Sequence, residues 1–305
     1  VSLKIMMEDG TKKILRNSNK SLNRIIGGLG LFGIILEAKL KVFKINSCYY
    51  KEKINLVKNE KQFLEYQRNL SYCVGILNYF NRKSFEGKFY KFIPQKKTNS
   101  ERVITVNKYN FFDFINYLKI PFLISLIVNF LTLRIFYFLQ FNIKILNTGS
   151  KLLNFKKSIY LSDINQTLPN YYRGGLIEIQ FGFKKEKLFY LTKKLKKMIS
   201  FYRVFPMYFI IKKMHKSKKK YIFNFPKNSF NITLTFTKKC YEDNKYFFVI
   251  LYKILKKNKC NLYMTKDETF IQNADPKIVK KYFDLSLFKK NKVFSSDFKE
   301  KIMDN

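Results

Sequence analysis

Between Gly175 and Met264 the apolar positions follow two periods in turn. "LIEIQFGF" alternates residue by residue, as a half-buried strand does, and "EKLFYLTKKLKKMI" then places Leu188, Leu191, Leu195 and Met198 on one helical face. "MYFIIKK" and "FNITLTFT" are two further strands, "NKYFFVILYKILKKN" is a second amphipathic helix and "NLYM" is a last strand. The order β-α-β-β-α-β predicts a split βαβ sheet with its helices on one face. In "FNITLTFT" the alternation turns Phe230, Ile232, Leu234 and Phe236 towards those helices, and Asn231, Thr233 and Thr235 away from them. Glu178 and Gln180 share a face in the same manner. Side-by-side polar groups on an uncovered sheet face can line a polar pocket, although a solvent-facing surface is the simpler expectation.

The N-terminal pattern differs. "VSLKIMMEDGTKKILRN" reads as a hairpin around an Asp9-Gly10 turn, and "NKSLNRII" as a helical turn with Ser21 as its cap. "IIGGLGLFGIILEAKLKV" follows, and its Gly28-Leu-Gly30-Leu-Phe-Gly33 matches the dinucleotide string G-x-G-x-x-G. Leu36, Ala38, Leu40 and Val42 then alternate with charged residues, which predicts a strand. A Rossmann site needs a helix at that point, its N-terminus receiving the pyrophosphate, so that reading fails on context. From about 46 to 150 the pattern is weaker: "LSYCVGILNYF" and "GKFYKFI" read as strands. The apolar run from Ile120 to Phe141 reads as a helical, buried or surface-docking amphipathic segment. Pro121, Asn129, Arg134 and Gln140 interrupt it, which argues against a membrane span and leaves peripheral membrane contact open.

Composition adds a large positive charge: 60 Lys and Arg against 21 Asp and Glu give a formal net charge of +39. Only eight of the basic residues are Arg, and the lysines are spread along the chain. That spread favours a solvated basic surface over a dedicated phosphate-gripping face, for which the planar Arg fork is better suited. Four cysteines without C-x-x-C spacing and a single histidine, His215, argue against a zinc site or a Ser/Cys–His hydrolase, and no metal is expected. The free thiols fit a reducing, cytoplasmic setting, peripheral at the membrane if the apolar run docks there. No signal peptide is visible.

Four collinear stretches resemble one family. "VSLKIMMEDGTKKIL" followed by "IIGGLGLFGIILEAKLKV" is similar to the end of the FAD-binding domain of the vanillyl-alcohol-oxidase, or PCMH-type, flavoproteins, with its hairpin, its G-G-x-G-x-x-G-I run and its strand. "LIEIQF", "FNFPKNSFNITLTF", and "NLYMTKDETF" with "KVFSSDF" resemble later motifs of the sugar oxidases in that superfamily, namely decaprenylphosphoryl-ribose 2-oxidase and the aldonolactone oxidases. The resemblance implies an α+β fold. Residues 1–45 would form the C-terminal part of the FAD-binding domain, 46–260 a substrate domain with an antiparallel sheet covered by helices on one face, and 261–305 a segment returning to the flavin.

It further implies FAD as cofactor, approached by the backbone at Gly27, Gly28, Gly30, Gly33 and Ile34. Lys266 of "TKD" matches the family's active-site lysine, near both flavin and substrate. Gln180 matches a site glutamine, Glu178 replaces another, Asn231 matches a polar site residue, Lys213 a substrate-side lysine and Tyr160 a site tyrosine. The implied reaction is oxidation of a secondary alcohol of a small-molecule or lipid-linked sugar, a hydride leaving for flavin N5 while a base takes the hydroxyl proton. Tyr160 and Lys266 are both candidates for that base. Thr233 stands where the ribose oxidases carry a cysteine, and the family's N-terminal pyrophosphate loop has no counterpart here, so the chain is expected to be an incomplete one. A basic nucleic-acid-binding protein from an A/T-rich genome is the alternative class; it accounts for the charge but not for the ordered motifs. No specific nucleic-acid partner is expected, and the sequence does not give the oligomeric state.

Overall fold

The structure is a computed structural model that describes residues 2–16, 21–26, 33–42, 44, 47–68, 74–96, 103–104, 130–142, 150–154, 175–214 and 229–263. The predicted hairpin is present: β1 (Ser2–Met6) pairs with β2 (Lys12–Arg16) around Gly10, whose φ of 76° the turn requires. β3 (Ile34–Lys39) adds to the other side of β1, giving the order β2-β1-β3. Leu3, Ile5 and Leu15 form a small core with Leu22 and Ile25 of α1 (Leu22–Ile25). Ser21 sits in the cap position of α1, but its side chain makes no capping bond.

Gly33 has a structural reason. Its φ is 140°, and a Cβ built there would lie 2.9 Å from the Met6 carbonyl oxygen, so the entry into β3 admits no side chain. β3 itself departs from the expected half-buried strand. Every residue in it is exposed, and Leu40 and Val42 of the alternating pattern lie beyond its end. The apolar positions that predict a buried face therefore have no partner among the described residues.

The larger sheet has nine strands in the order β12-β9-β11-β10-β5-β6-β4-β8-β7. Its first four are the split βαβ unit read from the sequence: β9 (Leu176–Lys184), β10 (Tyr208–Lys213), β11 (Ser229–Thr237) and β12 (Asn261–Leu262). β11 lies antiparallel between β9 and β10, and β12 pairs with the outer side of β9. β4 (Tyr49–Val57), β5 (Val74–Leu77), β6 (Gly87–Pro94), β7 (Val103–Ile104) and β8 (Ser150–Asn154) extend the sheet on the far side of β10. All the pairings are antiparallel except β7 with β8.

α2 (Glu60–Arg68), α4 (Leu188–Tyr202) and α6 (Lys245–Lys257) cover one face. Leu188, Leu191, Leu195 and Met198 of α4 are buried as their spacing predicts, with Ile199 beside them. Phe63 of α2 packs on Phe230 and Phe89, and Phe236 packs edge-on against Phe247 and Phe248 of α6. Each such fully buried side chain stabilises by roughly 2 kcal/mol. Gly75 and Gly87 make room for the Phe89 ring, which a Cβ at either would meet within 2.6 Å. Short α5 (Lys238–Asp243) leads from β11 into α6, capped by the Thr237 hydroxyl, which accepts from the Cys240 N–H.

Within the long apolar run the described helix is α3 (Phe130–Asn142). It is not the amphipathic element expected: it buries only Tyr137 and Phe141 and carries large apolar residues on nearly every other face. No described helix is long and apolar enough to cross a membrane.

Candidate functional site

The candidate site lies on the sheet face turned away from α2, α4 and α6. Directly opposed residues in an antiparallel pair share a face, so the registers define a grid across the strands. One row runs Gly182, Asn231, Lys212, Val74, Tyr90 and Ile54; the next runs Gln180, Thr233, Ile210, Ile76, Lys88 and Leu56. Glu178, Thr235 and Tyr208 begin a third.

A solvent-facing surface is not what this face presents. Asn231 is fully buried, and Gln180, Thr233, Thr235 and Lys88 are buried with it. Gln180 Nε2 donates to Asn231 Oδ1 at 3.0 Å, and the Thr235 hydroxyl lies 3.5 Å from a Glu178 carboxylate oxygen. Asn231 Nδ2 and the Thr233 hydroxyl are buried without a hydrogen-bond partner. A buried donor left unpaired costs about 1–3 kcal/mol, so two neighbouring ones single this face out as the candidate site. On β6, burial pushes the Tyr90 phenol up to about 12, with the Glu52 carboxylate and then Tyr208 adding to the effect. Burial raises Tyr208 as well. Both phenols therefore stay protonated near neutral pH.

Of the residues singled out in the sequence, Glu178, Gln180 and Asn231 come together on this face. Lys213 does not join them. It lies opposite Phe230, on the helix side, and its ammonium donates to the Gln67 carbonyl at the end of α2, 3.2 Å away. The lysine on the polar face is its neighbour Lys212, opposite Asn231. Phe209, Ile211 and Lys213 share one parity in "MYFIIKK" and Tyr208, Ile210 and Lys212 the other; the double Ile hides which is inward. Lys88 and Tyr90 were also missed: "GKFYKFI" reads as a strand, but lysines at both parities, Lys88 and Lys91, hide which of its faces is polar.

Gly33 and Ile34 fall in the small sheet, Gly33 at its tight entry and Ile34 half exposed at the start of β3. Gly27, Gly28, Gly30, Tyr160 and Lys266 lie outside the described residues. The described chain reaches Tyr263, whose N–H donates to the Gln180 carbonyl at 2.8 Å.

No protein-family model and no curated protein sequence matches this chain. Among solved structures it is similar to cholesterol oxidase from Brevibacterium sterolicum, in a histidine-to-alanine variant, with a TM-score of 0.60 and 11% identity. That match covers 99% of this chain and 68% of the oxidase. It is similar also to berberine bridge enzyme, a histidine-to-alanine variant in complex with (S)-reticuline, with a TM-score of 0.51 and 11% identity; here 99% of this chain and 61% of that one are covered. At such identities the likeness establishes the fold, an α+β arrangement of the expected class, and this chain spans only about two thirds of either enzyme's length.

Proposed function

We propose that this chain is part of a FAD-dependent oxidoreductase and that the buried polar face of the nine-stranded sheet meets the flavin and its substrate. The observation that carries the reading is the pair of unpartnered buried donors, Asn231 Nδ2 and the Thr233 hydroxyl, on a fold shared with an enzyme named as an oxidase. The donor set fits the group, since a flavin ring edge and a sugar both present the acceptors that these two donors need. FAD, when bound, supplies the hydride acceptor.

In this reading Gln180 engages Asn231 Oδ1 and leaves its N–H₂ unpaired, and Asn231 and Thr233 hold ligand oxygens. Lys212 sets a cation beside them, which favours negative charge developing on a bound ligand. Lys266 and Tyr160 are proposed to complete the site, either one taking the hydroxyl proton. The proposed substrate is a secondary alcohol of a small-molecule or lipid-linked sugar, as in the sugar oxidases the motifs resemble. The exposed Ile34, Ile35 and Leu36 of β3 support a further part of the FAD domain packing there.

The test is to express the chain with whatever its gene encodes before residue 1 and to titrate FAD against it, following flavin fluorescence. Saturable quenching, weakened by Asn231→Leu and Thr233→Val together, is expected. Fluorescence that stays constant throughout the titration overturns the reading.

A further inference from the structure

Beneath α3 lies a cavity of about 650 Å³, apart from the polar sheet face. Arg82, Arg134 and Arg203 line it together with Phe80, Phe130 and Phe205. The three rings pack on one another, with centroids 4.6 to 5.9 Å apart, and form an apolar wall. In a chain whose basic residues are nearly all lysine, three of the eight arginines meet here. Among the described residues no carboxylate pairs with any of them.

Arg203 carries a further mark. It ends α4 with φ 55°, a left-handed conformation in which glycine is the ordinary residue, and the turn is closed by the Val204 N–H donating to the Ile199 carbonyl. Backbone strain is thus kept at a position that holds a guanidinium against the cavity.

α3 is apolar around most of its circumference, and one stripe of that surface points outwards. Leu131, Ile135, Phe138 and Leu139 follow the i, i+4, i+7, i+8 spacing of one helix face and are 62%, 49%, 62% and 41% exposed. At 13 residues the helix is about 20 Å long, too short to cross a hydrocarbon core of about 30 Å but suited to lying along its boundary. An apolar stripe beside arginines that have no carboxylate partner among the described residues matches a surface that is apolar within and phosphate-rich at its edge.

We propose that α3 and the arginine cavity beside it form a docking surface for an anionic phospholipid bilayer. The stripe enters the acyl boundary, and Arg82, Arg134 and Arg203 receive a lipid phosphate in two-point fashion. Arg134, on α3 itself, reaches back from the stripe to the headgroup level. The proposal is independent of the flavin reading.

A net charge of +39 attracts any anionic surface, so variants must separate docking from charge alone. The chain of 305 residues is floated with vesicles of phosphatidylcholine, or of phosphatidylcholine mixed with phosphatidylserine, at ~0.15 M salt, where the Debye length is about 8 Å. Leu131→Asp with Phe138→Asp alters the stripe, and Arg82→Gln with Arg203→Gly alters the cavity while easing the left-handed turn. Lys245→Gln with Lys253→Gln on α6 removes the same number of charges elsewhere. Circular dichroism checks that each variant folds.

The wild type should float with the mixed vesicles only. The stripe and arginine variants should each bind roughly tenfold more weakly, a loss on the scale of a few lipid contacts, and the lysine control by less than about twofold. An unaffected stripe variant, or an arginine variant that behaves like the lysine control, overturns the proposal. So does arginine-dependent thermal stabilisation by inorganic phosphate or poly(U) RNA with vesicle binding indifferent to the stripe.

Discussion

Gln180 Nε2 donates to Asn231 Oδ1 across β9 and β11, and this one bond decides which way the Asn231 amide faces. With Oδ1 engaged, Nδ2 is left as a buried donor without a partner. Asn231→Asp keeps the shape but replaces that donor with an acceptor and adds a charge on a fully buried position. We expect this variant to lose flavin binding by at least about tenfold and the fold by roughly 1–3 kcal/mol in urea melts, since Lys212 opposite it offsets only part of the cost of burying a carboxylate. Flavin titration and denaturation on the same preparation separate the two effects. Unchanged binding in a folded Asn231→Asp variant would remove Asn231 from the site.

Thr233→Val should move stability in the opposite direction. The hydroxyl it deletes is buried and unpartnered, and valine has nearly the same shape. The flavin-free chain is expected to gain roughly 1 kcal/mol, read as a higher urea midpoint at unchanged slope. With ligand present the gain should shrink or reverse. A loss of stability without any ligand would show that the hydroxyl has a partner after all.

The split βαβ unit was legible because each of its segments carries a full period: Leu188, Leu191 and Leu195 repeat helically, and Phe230, Ile232, Leu234 and Phe236 alternate. β4, α2 and β8 were not, for a physical reason. β4 is half-buried along nearly its whole length, so "YYKEKINLV" shows no clean alternation, and its pairing with β6 and β8 is a long-range fact that no local pattern records. The polar face was visible as Glu178, Gln180, Asn231 and Thr233, yet its burial was not, because alternation reports which residues share a face and not what covers it. Lys213 shows the limit most sharply. Two consecutive isoleucines left the strand's parity undecided, and the lysine assigned to the site belongs to the core side.

That parity yields a paired prediction. Lys213→Met removes a cation from the last carbonyls of α2 and should cost about 1 kcal/mol of stability with ligand binding unaltered. Lys212→Met should weaken binding at the polar face by more than any loss of stability accounts for, while Lys213→Met should not. If the two variants exchange these phenotypes, the register of β10 against β11 is wrong.

Gly33→Ala tests the small sheet. The new methyl would lie 2.9 Å from the Met6 carbonyl oxygen with φ at 140°, so β3 must shift or detach from β1. A cost of roughly 1–3 kcal/mol is expected, confined to this sheet. Hydrogen exchange should show it as faster exchange at the β1–β3 amides and no change in β9 to β11. Protection that stays intact in β3 would contradict the tight entry.

Lys196 provides the pH test. It is 1% exposed on α4, and its ammonium donates to the carbonyls of Asn81 and Ser84 at 3.1 and 3.0 Å, tying the connection between β5 and β6 to the helix. Burial lowers its pKa from 10.5 to about 8, against a smaller opposing effect of the Glu86 carboxylate. A folded pKa below the unfolded one means that the unfolded chain binds more protons between those two values, so stability rises with pH across the window. The wild type should therefore gain roughly 2–3 kcal/mol from this group between pH 8 and pH 10.5, and nothing from it below about pH 7. Lys196→Met removes the titrating group together with its two hydrogen bonds, so its stability should lack that rise while the rest of the pH profile is kept. Urea melts at several pH values give the difference curve directly. Parallel profiles for wild type and variant from pH 7 to pH 10.5 would place the ammonium in water rather than in the core.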